Sequence, residues 1–74
     1  MKVMLFGMLA EKAGSAMVEV DASSVTDLLA ALRTHIKGLD TLSYAIAIDR
    51  RIVKDDQPLT GSEEIAVLPP FAGG

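Results

Sequence analysis

The chain of 74 residues is long enough for one domain, and half of its residues are hydrophobic, so a single apolar core can form. It contains no cysteine, which excludes disulfides and any persulfide or thioester on a side chain of this protein. A net charge of −3, 4% aromatic residues and no basic stripe argue against nucleic-acid binding. No apolar run reaches the length of a membrane span, so we expect a cytoplasmic protein without membrane contact.

The amino-terminal part predicts a β-hairpin. Residues 2–6 are apolar and are closed by Gly7, which is typical of a short first strand. The polar segment EKAGSA, residues 11–16, predicts a turn. The segment MVEVD, residues 17–21, alternates between apolar and polar positions and predicts the second strand of the hairpin.

The clearest predicted element is an amphipathic helix that begins after Ser24. Ser24 is a natural N-cap residue, and Asp27 stands three residues later, close to the capping-box pattern. Gly38 occupies the position expected of a C-cap glycine, so the helix is predicted to have about three turns. Its apolar positions share one face: Val25, Leu28, Leu29, Leu32 and Ile36.

The second half of the chain predicts further strands. Residues 44–48 form a third strand, residues 49–51 a turn, and residues 52–53 a short fourth strand. A polar connector with Pro58 and Gly61 as turn residues then leads to a last strand, which Pro69-Pro70 stops.

This order of elements predicts an α+β protein, because one amphipathic helix must cover one face of a sheet. A hairpin, a crossover helix and a last strand beside the first make up the β-grasp arrangement. We expect a mixed sheet of four to five strands packed on one main helix. The domain would span residues 1–68, and residues 69–74 would form a projecting tail that ends in Gly-Gly.

Strand alternation predicts which side chains face the helix. Phe6 and Leu68 are out of phase with the core positions, so they fall on the face of the sheet that no helix covers. Stray exposed apolar residues are common, but a contiguous apolar patch on a small domain favours a partner site. The predicted helix-facing set is Val3, Leu5, Val18, Val20, Ile46, Ile48, Ile65 and Val67.

The carboxyl-terminal tail carries the candidate chemistry. Pro69 and Pro70 favour an extended course away from the sheet. Gly73 and Gly74 have no side chains and can enter a channel too narrow for other residues. The reactive group of such a tail is the Gly74 carboxylate. Adenylation by ATP gives it a leaving group, and sulfide sulfur or an amine can then displace AMP.

A last strand that runs into Pro-Pro, one apolar residue, one small residue and Gly-Gly resembles the ending of the molybdopterin synthase small subunits. Members of this family are ubiquitin-like β-grasp sulfur carriers. The resemblance covers nearly the whole chain: VMLFGMLAEKAG at residues 3–14, the capped helix, and PLTGSEEIAVLPPFAGG at residues 58–74.

The resemblance implies a mechanism in which this chain binds no cofactor and is not catalytic alone. A ubiquitin-activator-like adenylyltransferase would use ATP to make an acyl-adenylate at Gly74, and a sulfur donor would convert it to a thiocarboxylate. The large synthase subunit would accept the tail and transfer the sulfur to cyclic pyranopterin monophosphate, building the molybdopterin dithiolene. The family also implies a heterotetramer of two small and two large subunits.

The same resemblance assigns roles to residues that precede Gly74. Phe6, Ile52 and Leu68 would face the large subunit. The tail residues that enter its active site would be Pro69, Pro70, Phe71, Ala72 and Gly73.

Two positions depart from the family pattern and leave other functions open. Ala10-Glu11 stands where members often carry Arg-Glu, and Ile48-Asp49 where many carry Val-Asn. The alternatives are a sulfur carrier for thiamine, cysteine or tRNA thiolation, a ubiquitin-like modifier joined to lysines, and a binding module whose Gly-Gly ending is accidental.

The remaining polar residues favour structural roles. His35 is the only histidine and lies on a predicted helix, which is typical of a solvated side chain. The pairs Asp55-Asp56 and Glu63-Glu64 are interpreted as solvated turn residues and not as a metal site. Arg50-Arg51 is interpreted as turn charge. The phosphate-loop spacing is absent, so we expect no ATP binding by this chain itself.

Overall fold

Five short strands and one main helix form the fold, and the computed structural model describes residues 1–69. The strands are β1 (Lys2–Leu5), β2 (Met17–Glu19), β3 (Ala45–Ile48), β4 (Arg51–Val53) and β5 (Ile65–Leu68). The helices are α1 (Met8–Ala13) and α2 (Val25–His35), with a 3₁₀ turn at Leu39–Thr41. The predicted tail residues Pro70, Phe71, Ala72, Gly73 and Gly74 lie outside the described residues.

The strands form one mixed sheet in the order β2-β1-β5-β3-β4. The last strand lies parallel to the first, with Val3 opposite Ile65 and Leu5 opposite Val67, and the other neighbours are antiparallel. Because β1 and β5 are parallel, the chain between them must cross over the sheet, and α2 lies within that crossover. The predicted mixed sheet, with its last strand beside the first, is confirmed.

The core lies between α2 and one face of the sheet, as the alternation predicts. Seven of the eight predicted helix-facing strand residues are buried, and Val18 is half-buried against the same cluster. Leu9, Leu39 and Leu59 complete the core from outside the sheet and α2. The sequence patterns did not predict these three as core residues, because each lies in a short segment outside the predicted strands and helix.

Helix α2 begins where the sequence predicts and ends earlier. The Ser24 hydroxyl accepts a hydrogen bond from the Asp27 backbone N–H at 3.1 Å, which confirms the N-cap. The C-cap is Ile36, whose extended backbone turns its buried side chain into the core. The prediction that Gly38 caps α2 is therefore wrong: Gly38 has a φ of 76° and begins the 3₁₀ turn instead. Leu29 is half-buried, at the margin of the predicted apolar face.

The loop between β1 and β2 contains α1, where we expected only a turn. The buried side chain of Leu9 anchors this helix to the core, and its last turn occupies part of the EKAGSA segment. Gly14 ends α1 with a left-handed φ of 78°, and its N–H donates to the Ala10 carbonyl oxygen at 2.9 Å. A six-residue helix offers too few turns for periodicity to reveal it.

A two-residue turn joins β3 and β4. Asp49 and Arg50 have φ values of 50° and 70°, as the tightest β-hairpin turn requires. The turn is held to the start of β5, because the Glu64 backbone N–H donates to Asp49 Oδ1 at 2.9 Å and the Asp49 N–H donates to the Glu64 carbonyl at 2.8 Å. The predicted fourth strand is confirmed, but it begins at Arg51, which the sequence placed in the turn.

The polar connector after β4 is fixed to the amino terminus of α2. Asp56 Oδ1 accepts a hydrogen bond from the Thr26 backbone N–H at 2.8 Å. The Val25 N–H donates to the Gln57 carbonyl at 3.0 Å, and the Leu59 N–H donates to the Ser23 carbonyl at 2.9 Å. Asp56 therefore adds a carboxylate cap beside the Ser24 hydroxyl, since the first turn of a helix leaves several N–H groups without partners.

Candidate functional site: the open face and the start of the tail

The face of the sheet opposite α2 carries an apolar surface, which we call the open face. Its apolar members alternate along their strands with the core residues. The open face is made up of Met4, Phe6, Met17, Ala45, Ala47, Ile52, Ala66 and Leu68.

The strand register places the open-face side chains in two rows across the sheet. One row runs through Met17, Met4, Ala66, Ala47 and Ile52, each opposite the next on neighbouring strands. The second contains Leu68 opposite Ala45, with Phe6 beside them, because the Phe6 N–H donates to the Val67 carbonyl at 3.3 Å. Towards the other end of β1 the same face is charged, since Lys2 lies opposite Glu19. The apolar part thus lies at the end of the sheet where β5 finishes.

The structure brings the three predicted interface residues to this one face. Phe6 is 45% exposed and Ile52 is 48% exposed, while Leu68 is half-buried. Large apolar side chains with this much exposure, grouped on one face of a small domain, are typical of a surface that a partner covers. Their position is established, and their contact with a partner remains a prediction.

Met4 and Met17 also belong to this surface and were not predicted as interface residues from the sequence. They are 40% and 44% exposed and lie directly opposite each other on β1 and β2. The alternation within β1 already places Met4 on the same face as Phe6. The partnership with Met17 could not be read from the sequence, because the α1-containing loop hides the register of the hairpin.

The first tail residue, Pro69, lies beside the end of β1. Pro69 follows β5 directly and packs against Gly7, where an added Cβ would stand 3.3 Å from Pro69 Cγ. Gly7 has a φ of 60° and a ψ of −135°, a conformation that residues with side chains rarely adopt. The first tail residue is therefore held at the edge of the open face. The roles predicted for the five residues beyond Pro69 remain predictions.

The other singled-out polar residues have local roles or lie in solvent. His35 is exposed at the end of α2, and Arg50 is exposed at the hairpin turn. Backbone N–H groups, above all that of Thr60, donate to the Glu63 carboxylate and hold its pKa below the ordinary value. Glu63 therefore organises a turn. Within residues 1–69 no three His, Asp or Glu side chains come together as a metal site would require.

The two departures from the family pattern lie away from the open face. Ala10 packs against the core from α1, and Asp49 forms the β3–β4 turn through its contact with Glu64. No helix in the described part of the chain is long and apolar enough to cross a membrane.

Comparisons with known proteins agree with this architecture. The ThiS family model matches residues 3–74. The chain is 32% identical over 81 aligned positions to the molybdopterin synthase sulfur carrier subunit of Escherichia coli K12, covering 99% of this chain and 98% of that protein.

Solved structures extend the comparison to the fold. The small archaeal modifier protein 1 of H. volcanii superposes with a TM-score of 0.81 at 25% identity, covering 95% of both chains. A chain from the complex of subunits 1 and 2 of the molybdopterin-converting factor of Helicobacter pylori 26695 superposes with a TM-score of 0.74. That chain is 25% identical, and the match covers 99% of this chain and 96% of that one. The ubiquitin-like β-grasp fold is confirmed.

Proposed function

The chain belongs to the ThiS family, and we propose that it is the sulfur-carrier subunit of a molybdopterin synthase. The observation that carries the proposal is the position of Pro69, which starts a tail ending in Gly-Gly at the edge of an apolar open face. The open face can then bind a partner while the tail enters that partner's active site. The identity of 32% with a protein named as such a subunit supports the same choice.

In the proposed reaction Gly74 supplies the atom that carries sulfur. Its carboxylate oxygen attacks the α-phosphate of ATP in the active site of an adenylyltransferase, and pyrophosphate leaves. Sulfide (HS⁻) then attacks the carbonyl carbon of the acyl-adenylate, the bond to AMP breaks, a proton is released, and a thiocarboxylate results. This chain contributes the terminal carbonyl and the absence of side chains around it, while the catalytic side chains belong to its partners.

The open face would supply the contact with the large subunit. Phe6 and Ile52 present about half of their surface for burial, and a few well-buried side chains dominate the binding energy of many interfaces. The H. pylori structure is a complex of subunits 1 and 2, which supports a two-subunit assembly here. A cytoplasmic heterotetramer, with sulfur delivered to cyclic pyranopterin monophosphate, completes the proposal.

Reconstitution tests this function directly. The full chain is incubated with the host's adenylyltransferase, ATP, sulfide, the large subunit and cyclic pyranopterin monophosphate, and the dithiolene product is measured. We expect product with the full chain and none with a chain that lacks Gly74. Absence of product with the full chain, while its thiocarboxylate accumulates, would point to another acceptor, such as those of thiamine, cysteine or tRNA thiolation.

A second candidate is a ubiquitin-like modifier, favoured by the likeness to the H. volcanii modifier protein at a TM-score of 0.81. The same acyl-adenylate would then meet a lysine amine, and AMP would leave as an amide forms. Conjugates detected by mass spectrometry in the host, and missing when Gly74 is deleted, would establish this function.

A further inference from the structure

Two methionines form a close pair on the open face. Met4 and Met17 lie directly opposite each other on antiparallel strands. The neighbouring residues Leu5 and Ala16 form a hydrogen-bonded pair, since the Leu5 N–H donates to the Ala16 carbonyl at 2.8 Å. Positions alternate along an antiparallel ladder, so Met4 and Met17 occupy a non-hydrogen-bonded pair, where opposing side chains approach most closely.

The pair forms one end of the apolar row. Ala66 and Ala47 lie between Met4 and Ile52 on neighbouring strands and have only methyl side chains. The row therefore has two thioethers at one end, short methyl side chains in the middle, of which Ala47 is only 8% exposed, and Ile52 at the other end. A partner that covers the row from end to end contacts the Met4 and Met17 side chains.

We propose that Met4 and Met17 form an oxidation-sensitive modification site that controls docking on the open face. The inference rests on the proposed function, because the docking partner is the large subunit. The oxidant is a peroxide: each thioether sulfur loses two electrons and gains one oxygen atom. The peroxide O–O bond breaks, an S–O bond forms, and water leaves.

Oxidation would weaken docking because it makes the Met4 and Met17 side chains more polar. A sulfoxide oxygen is a strong hydrogen-bond acceptor, whereas the thioether it replaces is nearly apolar. Burying that oxygen against an apolar partner without a donor is unfavourable. Two sulfoxides should lower the affinity for the large subunit by about tenfold or more.

Met1 and Met8 serve as internal controls for the Met4–Met17 pair. The Met1 side chain is only 1% exposed, and its amino group donates to the Val20 carbonyl at 2.7 Å, so we expect Met1 to resist peroxide. Met8 is 54% exposed at the start of α1, outside the row on the sheet. Met8 should therefore oxidise readily without controlling docking.

The experiment uses the full chain and the host's large subunit. The chain is treated with hydrogen peroxide, oxidised sites are located by tandem mass spectrometry, and binding is measured by titration calorimetry before and after treatment. Methionine sulfoxide reductases A and B are then added to reverse the modification. The double variant Met4→Leu/Met17→Leu is compared with Met8→Leu, which removes an exposed thioether and keeps the pair.

Four results support the proposal together. Met4 and Met17 oxidise before Met1, and the affinity of the wild-type chain for the large subunit falls about tenfold. The reductases restore that affinity. Of the two variants, only the double variant has the same affinity after peroxide treatment as before it. Unchanged affinity of the oxidised wild-type chain, or equal loss in the double variant, would overturn it. If the untreated chain does not bind the large subunit, the proposed function is wrong, and so is the proposal that oxidation controls docking. Preferential oxidation of Met1 would overturn the modification site independently of docking.

Discussion

The two faces of the sheet differ in how much of their apolar surface this chain itself covers. On the covered face, Val3, Ile65 and Val67 are fully buried against α2. On the open face, Phe6 and Ile52 keep about half of their surface exposed. Both faces are apolar, so hydrophobicity does not distinguish folding from function here. The distinction lies in whether this chain itself provides the covering layer, and only the covered face should control stability.

Deletion of Gly74 should give the largest functional effect and separate the tail from both faces. We expect complete loss of thiocarboxylate formation, because the reacting carbonyl is moved by one residue. The melting temperature should not change, since the described core is formed by residues between Val3 and Val67. Activity assays with the adenylyltransferase and thermal unfolding measure the two effects, and a lowered melting temperature would contradict the separation.

The covered face can be tested by truncating α2 at two depths. Leu32 is fully buried, so Leu32→Ala should lower the free energy of unfolding by about 2–5 kcal/mol. Leu29 is only half-buried, so Leu29→Ala should cost about 1 kcal/mol, less than its place on the predicted helix face suggested. Urea unfolding measures both values. Equal costs would mean that the margin of the helix is as tightly packed as its centre.

The open face can be tested with a charge in place of Phe6. Phe6→Asp should weaken binding to the large subunit by about tenfold or more, because a carboxylate would have to be buried in an apolar contact. Its effect on unfolding should stay within about 1 kcal/mol, since Phe6 is already half in solvent. Titration calorimetry measures the affinity, with Thr34→Asp on the exposed side of α2 as the control. Unchanged affinity for Phe6→Asp would remove the open face from the interface.

How much of each face was predictable from the sequence depends on the length of the repeating pattern. Alternation in β1 and β5, and the Ser24 cap of α2, could be read directly. The helix α1 and the buried Leu59 could not, because single apolar anchors in short segments leave no periodic signal. For the open face, strand alternation placed Phe6 and Leu68, whereas the Met4–Met17 pair required the strand register that only folding establishes.

The connector can be tested with two neighbouring aspartates. Asp56→Ala should lower the free energy of unfolding by about 0.5–2 kcal/mol, because it removes the acceptor of the Thr26 N–H at the start of α2. Asp55→Ala, in the same exposed loop, should change it by no more than about 0.5 kcal/mol. Both should leave large-subunit binding unchanged. Equal effects in urea unfolding would show that the cap contributes nothing.

The smallest expected effect is a pH dependence at the turn before β5. The Thr60 N–H lowers the pKa of Glu63 in the folded state. The ionised Glu63 carboxylate therefore stabilises the folded protein fully at pH values above the ordinary carboxyl pKa. This stabilisation is lost as the pH falls through the lowered pKa. Glu63→Gln should therefore be slightly less stable than the wild type at neutral pH and equal to it in acid, with Glu11→Gln as the control. A difference that widened in acid would have the wrong sign.

Intact-mass spectrometry of the chain purified from its own host tests whether the chain is a sulfur carrier. We predict a population heavier by one exchange of oxygen for sulfur, with fragmentation placing the change at Gly74. The population should increase with the adenylyltransferase, ATP and a sulfur source. A mass that stays unshifted under those conditions would contradict a sulfur carrier and favour a modifier or a binding module.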